Sequence, residues 1–413
     1  MALKQHLESF SLNPQQQLFA GTERQTTVET IEIGGKQYPK YINEFWTARQ
    51  RQASSLHEIA YRACFKAQLP RFFIELLTRE KEVVYDPFSG RGTTIVEAAL
   101  LNRNVISNDI NPLAKILAAP RLFIPTLLEI EQRLKKIPFD SATRAEIDLS
   151  MFYHPQTEAE ILSLKRYLNA RRESGREDAV DSWIRMVATN RLTGHSPGFF
   201  SVYTLPPNQA VSPQNQRKIN EKRNQVCPYR NTRALILKKS GSLLRGISQA
   251  QRQQLAEAGK HAVFLTKDAR NTGDIADSAV QLTVTSPPFL NVVQYADDNW
   301  LRCWFNNIEV KAVEEKITIS STLEDWRRVM AAVFKELYRI TRSGGWVTFE
   351  VGEVRNGKIK LDESVVPLGV EAGFHCEGIV INQQTFTKTS NIWGIRNNRK
   401  GTNSNRIVLF YKE

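Results

Sequence analysis

The sequence predicts a doubly wound α/β fold split by a long insert, and three observations carry that expectation. Residues 82–85 form a short β-branched and aromatic run that stops at Asp86-Pro87-Phe88-Ser89-Gly90-Arg91-Gly92, followed by an apolar helical stretch and a second strand ending in Asn108-Asp109. Strand, glycine turn, helix, strand and acid, in that order, open a doubly wound sheet. The same rhythm resumes at 261–265 and again at 281–285, after about 140 residues that read as pieces of helix. A connection of that length inside a compact fold predicts a unit of its own.

Taken in order, the chain is mixed up to about Tyr41, and from 43 to 78 apolar residues recur at helical spacing (Ile59, Ala60, Ala63, Cys64, Phe72, Phe73, Leu76), with Pro70 expected to separate two helices. A helix is expected over 93–101 and a strand over 104–107. Between 122 and 260 the expectation is helices around a centre rich in Gly, Pro, Ser and Asn at 194–220. Beyond it come strands at 261–265 and 281–285, helices at 299–306 and 323–342, and strands at 346–351, 376–382 and 405–411. Gly344-Gly345 is read as a glycine cap on the second of these helices.

Composition narrows the class. Apolar residues are 41% and charged residues 24%, as in ordinary globular proteins. The formal charge of +13, from 56 Lys and Arg against 43 Asp and Glu, favours approach to a polyanion and makes nucleic acid the first partner to consider. Cys64, Cys227, Cys303 and Cys376 are far apart and form no metal-ligand spacing, so neither a disulfide framework nor a structural zinc is expected. No apolar run approaches a bilayer span and no signal-peptide pattern opens the chain, so the expected location is cytoplasmic, away from the membrane.

The turn at 86–92 has a physical task. Gly90 and Gly92 remove Cβ atoms where the backbone swings from strand to helix and a ligand approaches. Asp109, one strand over, is placed to accept both hydroxyls of a ribose. The third glycine of dinucleotide sites is missing, because Ile95 stands three residues beyond Gly92, and no Gly-Lys-Ser/Thr follows as a phosphate loop requires. A nucleoside ligand without a pyrophosphate fits these features, which describes S-adenosylmethionine. Asp268, after the third strand, is a candidate acceptor for an adenine amino group, and Asp86 and Phe88 complete the expected cofactor-binding set. Strand-end caps are the competing explanation for Asp86 and Asp268.

Thr285-Ser286-Pro287-Pro288-Phe289 is the most specific signal. An exocyclic amine on a nucleobase is a poor nucleophile because its lone pair is delocalised into the ring. The Ser286 hydroxyl and the Pro287 carbonyl can each accept one N–H and so aim the lone pair. Pro287 and Pro288 fix φ and offer no competing donors, and Phe289 supplies a face on which a base can stack. Both motifs are expected at the carboxyl edge of one sheet, which is where ligands of such folds bind.

At these two motifs the sequence resembles the DNA amino-methyltransferases, which make N4-methylcytosine and N6-methyladenine. Asp86 to Thr94 resembles the family's cofactor motif and Thr285 to Phe289 its catalytic motif; Asn108-Asp109 and Asp268 fall where the family keeps its ribose and adenine acids. Tyr61 to Pro70 is similar to the helix that covers the methionine end of the cofactor, with Phe65 as a contact. The resemblance spans about 55–120 and 260–411. It implies a Rossmann-like class I methyltransferase sheet, a helical lead-in at 1–80 packing on the cofactor site, a catalytic domain from 81–120 and 261–413, and an inserted target-recognition domain at 121–260. Here the insert follows the second strand, whereas the similar family group usually places it after the third. Ser at the first position of the catalytic motif is commoner in cytosine-N4 enzymes. The implied partners are double-stranded DNA and a cognate restriction endonuclease.

Ten Lys or Arg and a single acid, Glu221, lie between Arg217 and Arg252, a bias suited to phosphate contacts. Asn208, Gln209, Gln214, Asn215, Gln216 and Asn220 stand beside it as planar groups able to read base edges. A second basic and polar stretch runs from 387 to 406. A ring-carbon cytosine methyltransferase is a poor match, since that chemistry needs a Pro-Cys nucleophile and no such dipeptide occurs. Adenine-N6 methylation, RNA base methylation and a catalytically silent nucleic-acid-binding fold are the alternatives.

Overall fold

The computed structural model describes residues 2–12, 25–47, 53–61, 64–204, 211–288, 295–315, 322–354, 359–383 and 404–413. Helix α1 (Ala2–Glu8) is followed by a hairpin, β1 (Thr27–Ile33) and β2 (Lys36–Asn43), turning at Gly34-Gly35. This corrects the expectation of a helical lead-in, because β2 pairs in parallel with a strand near the carboxyl terminus and extends the sheet. The one described helix between β2 and the strand before the glycine turn that is longer than a turn is α2 (Gln68–Leu77). Pro70 sits in its first turn, where no intrahelical N–H is needed, so it starts this helix instead of separating two.

The unit around the glycine turn is β3 (Val83–Asp86), α3 (Thr93–Leu100) and β4 (Asn104–Asn108). Among the described residues seven α-helices then precede the next strand: α4 (Leu113–Ala118), α5 (Leu127–Lys136), α6 (Pro155–Glu173), α7 (Ala179–Arg191), α8 (Pro213–Arg223), α9 (Thr232–Leu243) and α10 (Gln249–Lys260). Their starts follow local chemistry, with capping boxes at Thr126/Glu129, Asp178/Asp181 and Ser248/Gln251. β5 (Val263–Leu265) and β6 (Val280–Thr285) resume the sheet. After them come α11 (Tyr295–Phe305), α12 (Val310–Glu314), α13 (Leu323–Ile340), β7 (Thr341–Val351), a small pair β8 (Glu353–Val354) and β9 (Ile359–Lys360), α14 (Leu361–Glu371), β10 (His375–Gln383) and β11 (Ser404–Tyr411).

The main sheet has nine strands in the order β1-β2-β10-β11-β7-β6-β3-β4-β5. β11 runs antiparallel to both neighbours, whereas β5, β4, β3, β6 and β7 are parallel. The carboxyl ends of β2, β10, β7, β6, β3, β4 and β5 therefore share one edge with the amino end of β11. Gly344-Gly345 does not cap α13. It lies within β7, where the pairing with β6 slips between Val280 and Leu282, and a Cβ on Gly345 would stand 2.7 Å from the Arg342 carbonyl oxygen.

Both faces of the sheet are covered. On one, Phe349, Val347, Val408 and Phe410 pack against Phe334, Leu337 and Ile340 of α13 and Val365 of α14. On the other, Val84, Val284, Ile407 and Leu409 join Ile95 and Val96 of α3 in a cluster that continues into Ile130, Leu164, Trp183 and Leu243 of the insert. The insert and the sheet thus share a continuous apolar core. No described helix is long and apolar enough to cross a membrane.

Candidate active site

The site lies along the shared carboxyl edge. Asp86 ends β3 and is buried; its Oδ1 accepts from the Phe88 backbone N–H at 3.1 Å and from the Thr285 hydroxyl at 2.7 Å. That second bond ties the glycine turn directly to the strand that leads into Ser286. Asp109 follows β4 and accepts from Gly90 N–H at 2.8 Å and Asn111 N–H at 2.9 Å, so the acid predicted to meet a ribose also holds the glycine turn in place.

The glycines are needed for two different reasons. Gly90 and Gly92 both have positive φ, +50° and +74°. A Cβ on Gly90 would lie 3.3 Å from the ring of Tyr61, while one on Gly92 would lie 2.5 Å from Cβ of Ala118 in α4. The space at Gly92 is therefore reserved for close helix packing, not for a ligand. Arg121, fully buried, donates to the carbonyls of Arg91, Leu56 and Leu117 and clamps the turn from beneath.

Electrostatics at this edge favour a cation. Burial pushes the carboxyl of Asp86 up to about 7 and that of Asp109 to about 6, and neither has a Lys or Arg partner among the described residues. Each carboxylate retains acceptor sites beyond the bonds it makes. This donor-poor, acceptor-rich cradle fits a ligand that brings ribose hydroxyls together with positively charged ammonium and sulfonium groups. S-Adenosylmethionine is such a ligand, and Asp86, Phe88, Gly90 and Asp109 are the residues of this edge that could hold it. Among the described residues no cluster of His, Cys, Asp and Glu is arranged to bind a metal ion.

The other predicted residues are placed as follows. Asp268 reaches the same edge just beyond β5, where Arg270 grips both its oxygens at 2.9 to 3.0 Å and holds its carboxyl below the usual range. Phe65 and Phe88 are partly buried, against the two core clusters respectively. Ser286 is half-buried, Pro287 is buried, and the Pro288 carbonyl accepts from Trp326 Nε1 at 2.9 Å, which fixes the Pro-Pro segment. Phe289 lies outside the described residues, as do Asn208, Gln209 and most of the 387–406 stretch.

Two features are not visible in the sequence. Glu350, near the end of β7, is level with Ser286 in the register of β6 and β7, and Asn405 Nδ2 donates to Glu350 Oε1 at 3.0 Å. Within the insert, Gln216 is buried and spends its amide on the Tyr203 carbonyl and Asn220, while Asn220 donates to the Met151 carbonyl. Those two side chains are structural and are withdrawn as base readers; Gln214 and Asn215 remain exposed. Arg217 pairs with Asp148, Lys239 and Arg245 with Glu58, and Arg252 with the carbonyls of Ile124 and Pro125. Lys218, Lys222, Arg223 and Lys238 are exposed.

Comparison with known proteins adds independent information. The N6/N4 methyltransferase family model, described as DNA methylase, matches residues 11–119. The chain is 22% identical over 348 residues to the Type II methyltransferase M.BsoBI of Geobacillus stearothermophilus, covering 78% of this chain and 68% of that protein. Among solved structures, the rRNA methyltransferase aviRa of Streptomyces viridochromogenes aligns over 87% of this chain and 89% of its own, with 12% identity and a TM-score of 0.34. A TehB-like SAM-dependent methyltransferase of Corynebacterium glutamicum aligns over 83% and 87%, with 8% identity and a TM-score of 0.30.

Proposed function

We propose that this chain, which is similar to DNA methylases of the N6/N4 amino-methyltransferase family, uses S-adenosylmethionine to methylate the N4 amine of cytosine at specific sites in duplex DNA. The observation that carries the proposal is Ser286-Pro287-Pro288 at the end of β6, beside the Asp86–Asp109 cradle and joined to it by the Thr285–Asp86 hydrogen bond. The cofactor, when bound, supplies an electrophilic methyl group on sulfonium. The protein's part is to hold a flipped base so that its amine gives one N–H to Ser286 Oγ and one to the Pro287 carbonyl, with the lone pair turned toward the cofactor cradle. Ser in the first position supports cytosine over adenine. The insert, 121–260, is proposed as the target-recognition domain, with Lys218, Lys222, Arg223 and Lys238 as phosphate contacts, and a restriction endonuclease of the same specificity as its biological counterpart.

Nucleoside mass spectrometry of DNA from cells expressing the protein tests this directly. N4-methylcytosine is expected with the native protein and none with Ser286→Ala. N6-methyladenine in its place would overturn the cytosine assignment alone, and unmodified DNA with the native protein would overturn the function.

A further inference from the structure

Glu350 stands where a second acceptor would be useful. It ends the central strand β7, one register step beyond the Thr285–Phe349 pair, so its side chain is level with Ser286 on the neighbouring strand. It is 8% exposed, accepts from the Asn405 amide, lies level with Ser286 across the β6–β7 pairing, and is not ion-paired among the described residues. Arg406, next along β11, alternates to the opposite face, where its guanidinium binds Asp362 at 3.0 Å. Thr348, on the same face of β7, gives its hydroxyl to the Thr283 carbonyl. A buried acid with no cationic partner is costly to keep, and a surface role cannot explain it.

The chemistry of Ser286 needs such a partner. A hydroxyl carries one proton and two lone pairs, and it accepts reliably from an amine only when its own proton is committed elsewhere. We propose that Glu350 is a positioning residue for methyl transfer, taking the Ser286 hydroxyl proton so that Ser286 Oγ faces the substrate amine as an acceptor, and then serving through Ser286 as the sink for the proton the amine releases. This rests on the amino-methyltransferase reading above. The electrons balance: the amine lone pair forms the new N–C bond as the carbon–sulfur bond breaks toward sulfur, and the nitrogen becomes cationic. One N–H proton then moves to Ser286 Oγ as the Ser286 proton moves to the Glu350 carboxylate. The products are a neutral methylamine, a neutral thioether, serine and a glutamic acid. Burial raises the Glu350 carboxyl, with Ser286 and Asn405 opposing, which makes it a better base than an exposed glutamate.

The test uses the full chain, a duplex containing its site, and single-turnover kinetics on native protein, Glu350→Gln, Glu350→Asp, Ser286→Ala and the Ser286→Ala/Glu350→Gln double variant. Glu350→Gln is nearly isosteric and keeps an acceptor for Asn405. It is expected to slow methyl transfer roughly tenfold to a hundredfold, with cofactor and DNA affinities within about twofold of native. Glu350→Asp should regain part of the rate. The native rate should rise with pH through one ionisation that Glu350→Gln lacks, and an infrared titration without cofactor should show a carboxyl band that disappears in the same variant. The double variant should be no slower than Ser286→Ala, because the two groups serve one step. A native rate in Glu350→Gln, or a double variant whose losses multiply, would overturn the proposal while native methylation of the amine upholds the functional reading. Absence of methylation by native protein would overturn both.

Discussion

Asp86 and Asp109 are expected to set the pH response of the proposed cofactor site. Their folded-state carboxyls titrate near 7 and near 6, above the ordinary value of 3.8, so the folded apoprotein binds more protons than the unfolded chain between those limits. Stability from these groups is therefore present at low pH and declines as pH rises through the folded values. A cationic ligand reverses the preference by favouring the carboxylates. Cofactor affinity measured by calorimetry should accordingly rise from pH 5.5 to 8, roughly the window around those two titrations, with protons released on binding. Asp109→Ala should weaken binding by about 1.5 to 3 kcal/mol and flatten that pH dependence. An unchanged affinity in this variant would remove Asp109 from the cofactor site.

At the scale of elements, the insert's charge is unevenly available. Arg217, Lys239, Arg245 and Arg252 are held by intramolecular partners, leaving Lys218, Lys222 and Arg223 on α8 and Lys238 on α9 as exposed cations, with Arg223 lying over the Tyr203 ring. Replacing Lys218 or Lys222 with Gln should make the log–log salt dependence of duplex binding shallower by about one for each phosphate that is no longer neutralised. Replacement of Arg217 should mainly cost its pairing with Asp148. If the Lys variants keep the native slope, α8 does not lie on DNA. These helices were legible in sequence because caps and Gly or Pro breaks are local. The base-reader candidates Gln216 and Asn220 were misplaced because a planar amide looks the same in sequence whether it faces solvent or satisfies a buried carbonyl. Helix α14 went unread because Val365, Val366 and Pro367 argue locally against a helix that tertiary packing supports.

For the whole molecule, charge is divided by sign: a basic chain with a formal charge of +13 holds a short row of acids at one sheet edge, Asp86 and Glu350 buried and Asp109 half-buried. The outside suits a polyanion and the inside a cation. The motif-bearing strands were readable because contiguous residues carry their chemistry, whereas Glu350 was not, since one acid in a strand becomes significant only through the register of β6 and β11. The β1–β2 hairpin was missed for the same reason of distance. β2 ends at Asn43 and its partner β10 begins at His375, with Asn43 and Asn382 paired across the join and Asn382 Oδ1 taking the N–H groups of Phe45 and Trp46 at 2.7 and 3.1 Å. During synthesis the hairpin emerges about 330 residues before the strand that shelters it, and at roughly 5 to 20 residues per second that is an interval on the order of tens of seconds. Its unpaired edge must wait through that time as a template for other chains. A nascent chain halted before His375 should be cut within 25–47 by a protease that spares the finished protein, and equal resistance of the two would show that the hairpin is protected in some other way. The last strands to leave the ribosome therefore set how long the first ones remain open to aggregation.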